Sequence, residues 1–381
     1  MKKIGIIGAG ISGLFIANLF KDNHNYQVTL FEKKHSIELD EGYGIQLSTN
    51  SVKLLNKIGF NEIENKEKFN PEKIDFYSNK SSTKICELDI TNYNSEDCRY
   101  TTLKRSNLIN FLKKDLGDLI KTGHNIRKID HNDKQIKLTF ENDEIDEYDY
   151  LVISDGVFSK STSLISNNQT KPKYNDTLAI RGILTKSPKS IDDKNISLFL
   201  GSDFHYVIYP VNPNGDLNFI AIMKYRLTAE EQKNYSLFSD NSFVKKVLGK
   251  IPFRIKDSLN DIKKLKIFPV FVSDNFYKFQ NNNIHSIGDA FFAFPPSFAQ
   301  GASQSIEGAY ELFKSIENNT ENNFFNKRVN KTKMVNIRSK FNQFSFHLSN
   351  PFITFFRNIF LKRLIKNKKF LEFYLGKIYK N

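Results

Sequence analysis

The stretch Lys3–Lys33 restricts what this chain can become more than any other. Ile4, Ile6 and Ile7 read as a short buried strand, and Gly8, Gly10 and Gly13 follow with G-x-G-x-x-G spacing. Leu14, Ile16, Ala17 and Leu19 then recur at helical period, and Val28–Phe31 is a second apolar run closed by Glu32. Gly8 permits a tight turn, Gly10 lets backbone N–H groups approach a pyrophosphate, and Gly13 lets helix and strand pack closely. The helix start, with Ser12 in its first turn, offers partial positive charge to phosphates. Glu32, with Lys33 beside it, can accept hydrogen bonds from a ribose diol. A glycine triplet alone is a weak signal. Strand, helix, second strand and acid in this order predict a dinucleotide-binding unit.

At 381 residues the chain can bury a sizeable core, and its length predicts two domains. No apolar run reaches the ~18 residues of a membrane-spanning helix. Glycines break the first apolar run and no cleavage region follows it, so a secretory signal is not expected. Cys86 and Cys98 are the only cysteines. They support neither a disulfide framework nor a Cys-type zinc site; no metal is expected, and the expected compartment is the reducing cytoplasm. The formal charge of +14 raises nucleic acid as a partner, but no recognised nucleic-acid motif occurs and none is expected to bind. The many Lys, Asn and Ile residues match AT-rich coding, which raises Lys content without any partner requiring it.

Further along, Gly42–Gly59 reads as a loop and then a helix, with Gly44, Ile45 and Gln46 placed near whatever the dinucleotide unit holds. Short β-like runs follow at Lys73–Tyr77 and Lys84–Ile90. Thr101–Leu119 is expected to be helical, with Arg105 near its start, where a cation opposes the macrodipole unless it meets an external anion or lies on the surface. Asp130–Phe140 and Glu144–Ile153 read as a hairpin-like pair ending in Ser154-Asp155-Gly156. From about Lys171 to Asp274 the pattern is mostly strands, with a helix expected over Leu227–Leu248. Ile284–Ile287 is a short strand leading into Gly288-Asp289, an extended loop at Pro295 and Pro296, and a helix opened by Gly301 and Ala302.

The tail, Pro351–Asn381, is amphipathic and basic, with a net charge of +7 from eight Lys or Arg against Glu372. It reads either as helices packed on the first domain or as a segment making peripheral contact with a membrane surface.

Three separated motifs, Gly8–Gly13 with Glu32, Ser154-Asp155-Gly156, and Gly288-Asp289 with Pro296, Gln300 and Gly301, together resemble the single-component FAD-dependent aromatic hydroxylases of the p-hydroxybenzoate hydroxylase type. Arg105 matches that family's flavin-contacting arginine. Gly44–Asn50, Ile180-Arg181-Gly182, the run from His205 to Val211 and Asn218-Phe-Ile resemble the salicylate, 3-hydroxybenzoate and 6-hydroxynicotinate hydroxylase branch. Two positions depart: Phe292 stands where the family has His, and Gly308 where it has Asp.

The resemblance implies an α/β protein with a Rossmann-like FAD-binding domain built from residues 1–70, 101–165 and 275–325. An inserted mixed β-sheet substrate domain (71–100 and 166–274) and a C-terminal helical segment (326–381) complete it. It implies FAD as cofactor, NAD(P)H as transient reductant, and O2 activated as a flavin C4a-hydroperoxide that hydroxylates a small aromatic substrate. Glu32 would take the ribose, Arg105 the pyrophosphate region, Asp289 the ribityl or phosphate part, and Pro296–Ala302 the isoalloxazine. Asp155 and Gln46 join this set, and Arg181 and Gln46 are the candidates for substrate binding, Arg181 through a carboxylate. His205 and Tyr209 lie four apart on a strand and so share a face; a histidine tuned near neutrality could ease phenol deprotonation, and Tyr209 could bond the substrate oxygen. Two other readings remain: oxidation of a lipophilic polyprenyl-phenol at a membrane surface, and a non-catalytic FAD-binding redox sensor.

Overall fold

The glycine-rich stretch lies at the centre of an all-parallel five-stranded sheet. Its strands are ordered Ile284–Ser286, Tyr150–Ile153, Lys2–Ile7, Tyr26–Glu32 and Ile120–Thr122. The computed structural model describes residues 1–37, 39, 43–81, 83–132, 134–166, 171–250 and 262–380; Gly42, Asn381 and part of the expected β-rich block, residues 251–261, lie outside them. Parallel strands are covered on both faces, so their sequences are nearly continuous apolar runs. Ile4, Ile6, Val28, Leu30 and Val152 pack on the helices Ile11–Phe20 and Gly301–Glu317. Ile7, Phe31, Leu151 and Ile153 pack on a small antiparallel sheet of Ile126–His131, Ile136–Phe140 and Ile145–Tyr148.

Three expected elements take a different form. The second hairpin arm divides at Asp149: Ile145–Tyr148 completes the small sheet and Tyr150–Ile153 joins the parallel one. Asp149 fixes the division, since its carboxylate accepts from the Lys3 N–H at 2.7 Å and its own N–H donates to Lys3 O at 3.0 Å. Thr101–Lys104 is a strand paired with Gly44–Leu47, and the helix runs only over Arg105–Lys113. The Thr102 hydroxyl donates to Pro210 O at 2.6 Å, a tertiary bond invisible to helical periodicity. In the third case the helix begins at Asn241, where the Asp240 side chain accepts from Phe243 N–H at 2.8 Å as an N-cap.

A seven-stranded mixed sheet runs Ile262–Val272, Lys173–Leu184, Leu217–Lys224, Phe204–Pro210, Ile196–Leu200, Lys73–Ser78 and Lys84–Asp89. Among the described residues of this sheet, only Ile196–Leu200 and Lys73–Ser78 pair in parallel. Strand alternation gives it two distinct faces. Tyr206, Ile208 and Phe219 point into a core with Phe243 and Val247, where the Phe199 and Tyr206 rings stack at 4.5 Å. His205, Val207, Tyr209, Ile220 and Ile222 point the other way, into a cavity.

The chain ends in helices Gly301–Glu317, Glu321–Phe346 and Pro351–Leu364, then short turns through Tyr379. Leu375, Ile378 and Tyr379 are buried on the large sheet beside Phe76, Leu88 and Tyr100, so the tail covers that sheet rather than the dinucleotide unit alone. Between the first two of these helices, buried Arg328 lies 3.3 Å from Glu307 and 3.4 Å from Glu311. Gly308 makes room for it, because a Cβ there would fall 2.9 Å from Arg328 Nε. Breaking a buried pair from one side leaves an uncompensated charge. With Lys331 still 3.3 Å from Glu307, Arg328→Ala is expected to cost about 3 kcal/mol, read from urea unfolding of the variant against the parent.

Candidate active site

At the first strand end, Gly8 adopts φ +99°, a left-handed conformation that disfavours any side chain. A Cβ on Gly13 would sit 2.0 Å from Gly8 O, so strand and helix can meet only there as glycine. A Cβ on Gly10 would meet nothing within 4 Å, so that backbone faces open space. The helix Ile11–Phe20 begins with no side-chain cap and no acid in its first turn, leaving its positive end for an anion. Glu32 is fixed beside it: its two oxygens accept from Ala9 N–H and Lys34 N–H, each at 3.0 Å. Lys33 is exposed. Ser12 is buried against the Gly288 turn, where a Cβ would fall 2.6 Å from its Oγ, so it joins two motifs rather than facing the open space.

Asp155 accepts from Ser161 N–H at 3.1 Å through Oδ2, while its Oδ1 is buried with no hydrogen-bond partner. Asp289 follows the turn at Gly288 and lines the cavity, its side chain exposed to that space. Desolvation by the surrounding protein lifts its pKa to about 6, with Arg105 pulling the other way. The loop after it is held by Ala299 N–H donating to Pro296 O at 3.0 Å, with Ala299 at φ +51°. It delivers Gly301 and Ala302 to the cavity wall as the start of a 17-residue helix, again without an acid or a side-chain cap. An open glycine turn, a fixed carboxylate, a partnerless buried acceptor and a second uncapped helix start fit an extended dinucleotide carrying a flat ring system.

The cavity measures about 820 Å³. Gln46, Arg181, His205, Tyr209, Asp289, Pro296, Gly301 and Ala302, all expected from sequence as site residues, line it together. Gln46 accepts from the Tyr100 hydroxyl at 2.7 Å. The Tyr209 hydroxyl lies against Gln46 and Asn218; burial raises its pKa and Arg181 opposes the shift, so it stays a donor. Gly44 lets this segment approach the sheet, for a Cβ there would lie 2.6 Å from Asn218 Cβ, and its N–H donates to Asn218 Oδ1.

His205 differs from its expectation. It is 3% exposed, its Nδ1 lies 2.8 Å from His347 Nε2, and burial, then His347, lowers its pKa well below 6.5. His347 is lowered to about 4, mainly by burial. The pair is therefore neutral, not tuned near neutrality. Tyr100, His347 and Tyr379 escaped the sequence reading, because each arrives from a remote segment with no motif around it. The two departures from the family pattern have structural accounts away from the chemistry: Phe292 stacks on Phe276 at 4.3 Å, and Gly308 accommodates Arg328. They no longer motivate a purely sensory role.

Two variants separate folding from binding. Gly10→Ala is expected to fold and melt like the parent but to lose FAD on dilution, whereas Gly13→Ala is expected to lower the melting temperature of the flavin-free protein as well. Absorbance at the flavin bands and thermal melts check both. Asp289 gives a pH signature. Its folded pKa of about 6 lies above the ordinary 3.8, so its contribution to stability is full below pH 3.8 and is lost as pH rises through 6. In flavin-free protein, Asp289→Asn should therefore gain melting temperature relative to the parent between pH 4 and pH 7.

Comparison with known proteins agrees with this geometry. The chain is 22% identical over 325 residues to 6-hydroxynicotinate 3-monooxygenase of Bordetella bronchiseptica, covering 83% of this chain and 82% of that one. It is 22% identical over 348 residues to salicylate hydroxylase of Pseudomonas putida, covering 82% and 77%. Among solved structures, Klebsiella pneumoniae HpxO in complex with FAD and uric acid shares the fold with TM-score 0.80 at 16% identity, covering 98% and 97%. A salicylate hydroxylase substrate complex does so with TM-score 0.78 at 17% identity, covering 100% and 95%. The family model described as FAD binding domain matches residues 1–321, and the chain belongs to that family as an FAD-dependent monooxygenase.

Proposed function

We propose that the protein inserts one atom of O2 into the ring of a phenol or aromatic acid, with NAD(P)H as reductant and water as the second product. The observation that carries this reading is one cavity shared by the Asp289–Ala302 segment and the polar cluster of Gln46, Tyr209 and Arg181. The relatives named above, a hydroxynicotinate and a salicylate enzyme, favour the same substrate class.

Bound FAD supplies the reducing equivalents and the activated oxygen. Glu32 takes the adenosine ribose, the open Gly10 face and Arg105 the pyrophosphate, and Asp289 a ribityl hydroxyl. Asp155 Oδ1 accepts a further donor of the cofactor. The residues Pro296–Ala302 lie along the ring, and the Gly301 helix start stabilises negative charge there. Tyr209, kept protonated and braced by Gln46 and Asn218, donates to the substrate oxygen. Arg181, 5.9 Å from the Tyr43 ring centre, meets a carboxylate. His205 has Nδ1 committed to His347, so its Nε2 remains for the substrate hydroxyl; as a neutral imidazole it orients and polarises that proton.

A second substrate class, a phenol bearing a long apolar chain, is favoured by the far end of the cavity, where Phe344, Phe356, Phe360, Leu364 and Leu371 leave few polar partners. The test is NAD(P)H oxidation with oxygen uptake and a product heavier by one oxygen, measured across small phenolic acids and alkylated phenols. No stimulation and no product from either class would overturn the proposal. Tyr209→Phe should lower kcat about tenfold or more, as loss of a bond that strengthens when the substrate oxygen gains negative charge would. Arg181→Met should raise KM only for carboxylated substrates. Because both histidines stay neutral, neither should contribute a break near pH 6.5, and any break near pH 6 should disappear in Asp289→Asn.

A further inference from the structure

At the far end of the cavity, lining side chains of two helices, Glu321–Phe346 and Pro351–Leu364, are also exposed at the surface. Nine of the 13 exposed large hydrophobic side chains among the described residues fall between Ile337 and Phe373. On the helix Glu321–Phe346, Ile337, Phe341 and Phe344 recur at helical spacing on the exposed side, Phe344 being 67% exposed. On Pro351–Leu364, Phe352, Phe355, Phe356 and Phe360 do the same, Phe352 being 79% exposed. Phe341, Phe344, Ile353, Phe356 and Phe360 also line the cavity. The exposed patch is thus the rim of the cavity mouth, not a separate feature. A contiguous apolar surface of this kind marks a contact site.

Charge selects the occupant. Between Glu321 and Glu372 the sequence contains no Asp or Glu and 12 Lys or Arg. Arg328 and Arg338 are buried, but Lys340, Lys362, Arg363, Lys366, Lys368 and Lys369 are exposed around the patch. A second copy of the same face would bring these cations together and repel. An anionic lipid surface matches both properties: aromatic side chains insert at the headgroup boundary, and lysines meet the phosphates. No helix among the described residues is long and apolar enough to cross a membrane, so the contact is lateral.

We propose that the helices Glu321–Phe346 and Pro351–Leu364 dock the cavity mouth on an anionic bilayer, and that the substrate is an apolar-chain phenol drawn directly from that bilayer. This rests on the monooxygenase reading above, narrowed to its second substrate class. The FAD-loaded full chain is sedimented with phosphatidylcholine vesicles and with vesicles containing phosphatidylglycerol, at low and high salt. Its turnover is then measured with a long-chain alkylphenol dissolved in the vesicles and with a short water-soluble phenol.

Binding to the anionic vesicles, at least tenfold weaker without phosphatidylglycerol or in high salt, is expected. Phe352→Asp with Phe355→Asp, neither of which lines the cavity, should weaken binding at least tenfold. The double variant should lose turnover of the vesicle-dissolved phenol while keeping its flavin spectrum and its rate with the soluble one. No binding to anionic vesicles, equal binding by the double variant, or a stable dimer that hides the patch would each overturn the proposal. Vesicle binding without hydroxylation of any phenol would sink the monooxygenase reading and with it the substrate route, leaving the lipid contact established.

Discussion

The structure depends on one close approach of backbone to backbone, where the turn at Gly8 meets the helix at Gly13 and the strand end at Ser154. The Ser154 hydroxyl donates to Ile7 O at 2.8 Å and to Gly8 O at 2.9 Å, so the two strand ends are tied through the turn itself. There is no space for a Cβ at Gly8 or Gly13. That contact sets the height at which the first helix starts and leaves open space beside Gly10. It also brings Glu32 and Asp155 to the same crevice at the carboxyl ends of parallel strands, the usual place for ligands in such sheets.

A second constraint carries the large sheet to that crevice. Gly44 lies against Asn218, and the Ser48–Asn50 segment bonds to the helix Gly301–Glu317: Asn50 donates to Glu307 at 2.7 Å, and Ser48 contacts Ser303 at 3.0 Å. Glu307 in turn is held by Arg328 from the long helix. This buried network spans three remote segments, so its satisfaction fixes their relative placement as well as their stability. Gln46 lies two residues before Ser48, while Tyr209 is placed by strand pairing opposite Asn218.

The cavity combines two chemistries. At the end near Asp289 the polar groups are few, and Gln46, Tyr209 and His205 are braced by neighbours, as orientation of a small reacting ring requires. Towards the C-terminal helices the wall is mainly aliphatic or aromatic, with Asn342, Ser345 and Arg357 among it, and includes exposed phenylalanines. The protein thus places an oriented site and a mainly apolar approach within one continuous space. The neutral His205–His347 pair fits that setting, since a charged imidazole would be costly there.

The first strand, its glycine turn, the following helix and Glu32 were legible because their requirements are local: spacing, period and backbone freedom are written in consecutive residues. The strands around His205 and Leu217 were legible for the same reason. Thr101–Lys104, read as helix, is a strand because its partner is Gly44–Leu47, and the Asp149 division depends on Lys3, more than 140 residues away. His205 was found by its spacing from Tyr209, yet its charge state was not, because that depends on the depth of burial and on His347. Sequence alone therefore determined the dinucleotide unit, its cofactor class and which strand face carries the polar side chains. Only the tertiary structure decided that the basic tail roofs the large sheet and lines the cavity mouth, because that placement comes from long-range packing that no local period encodes.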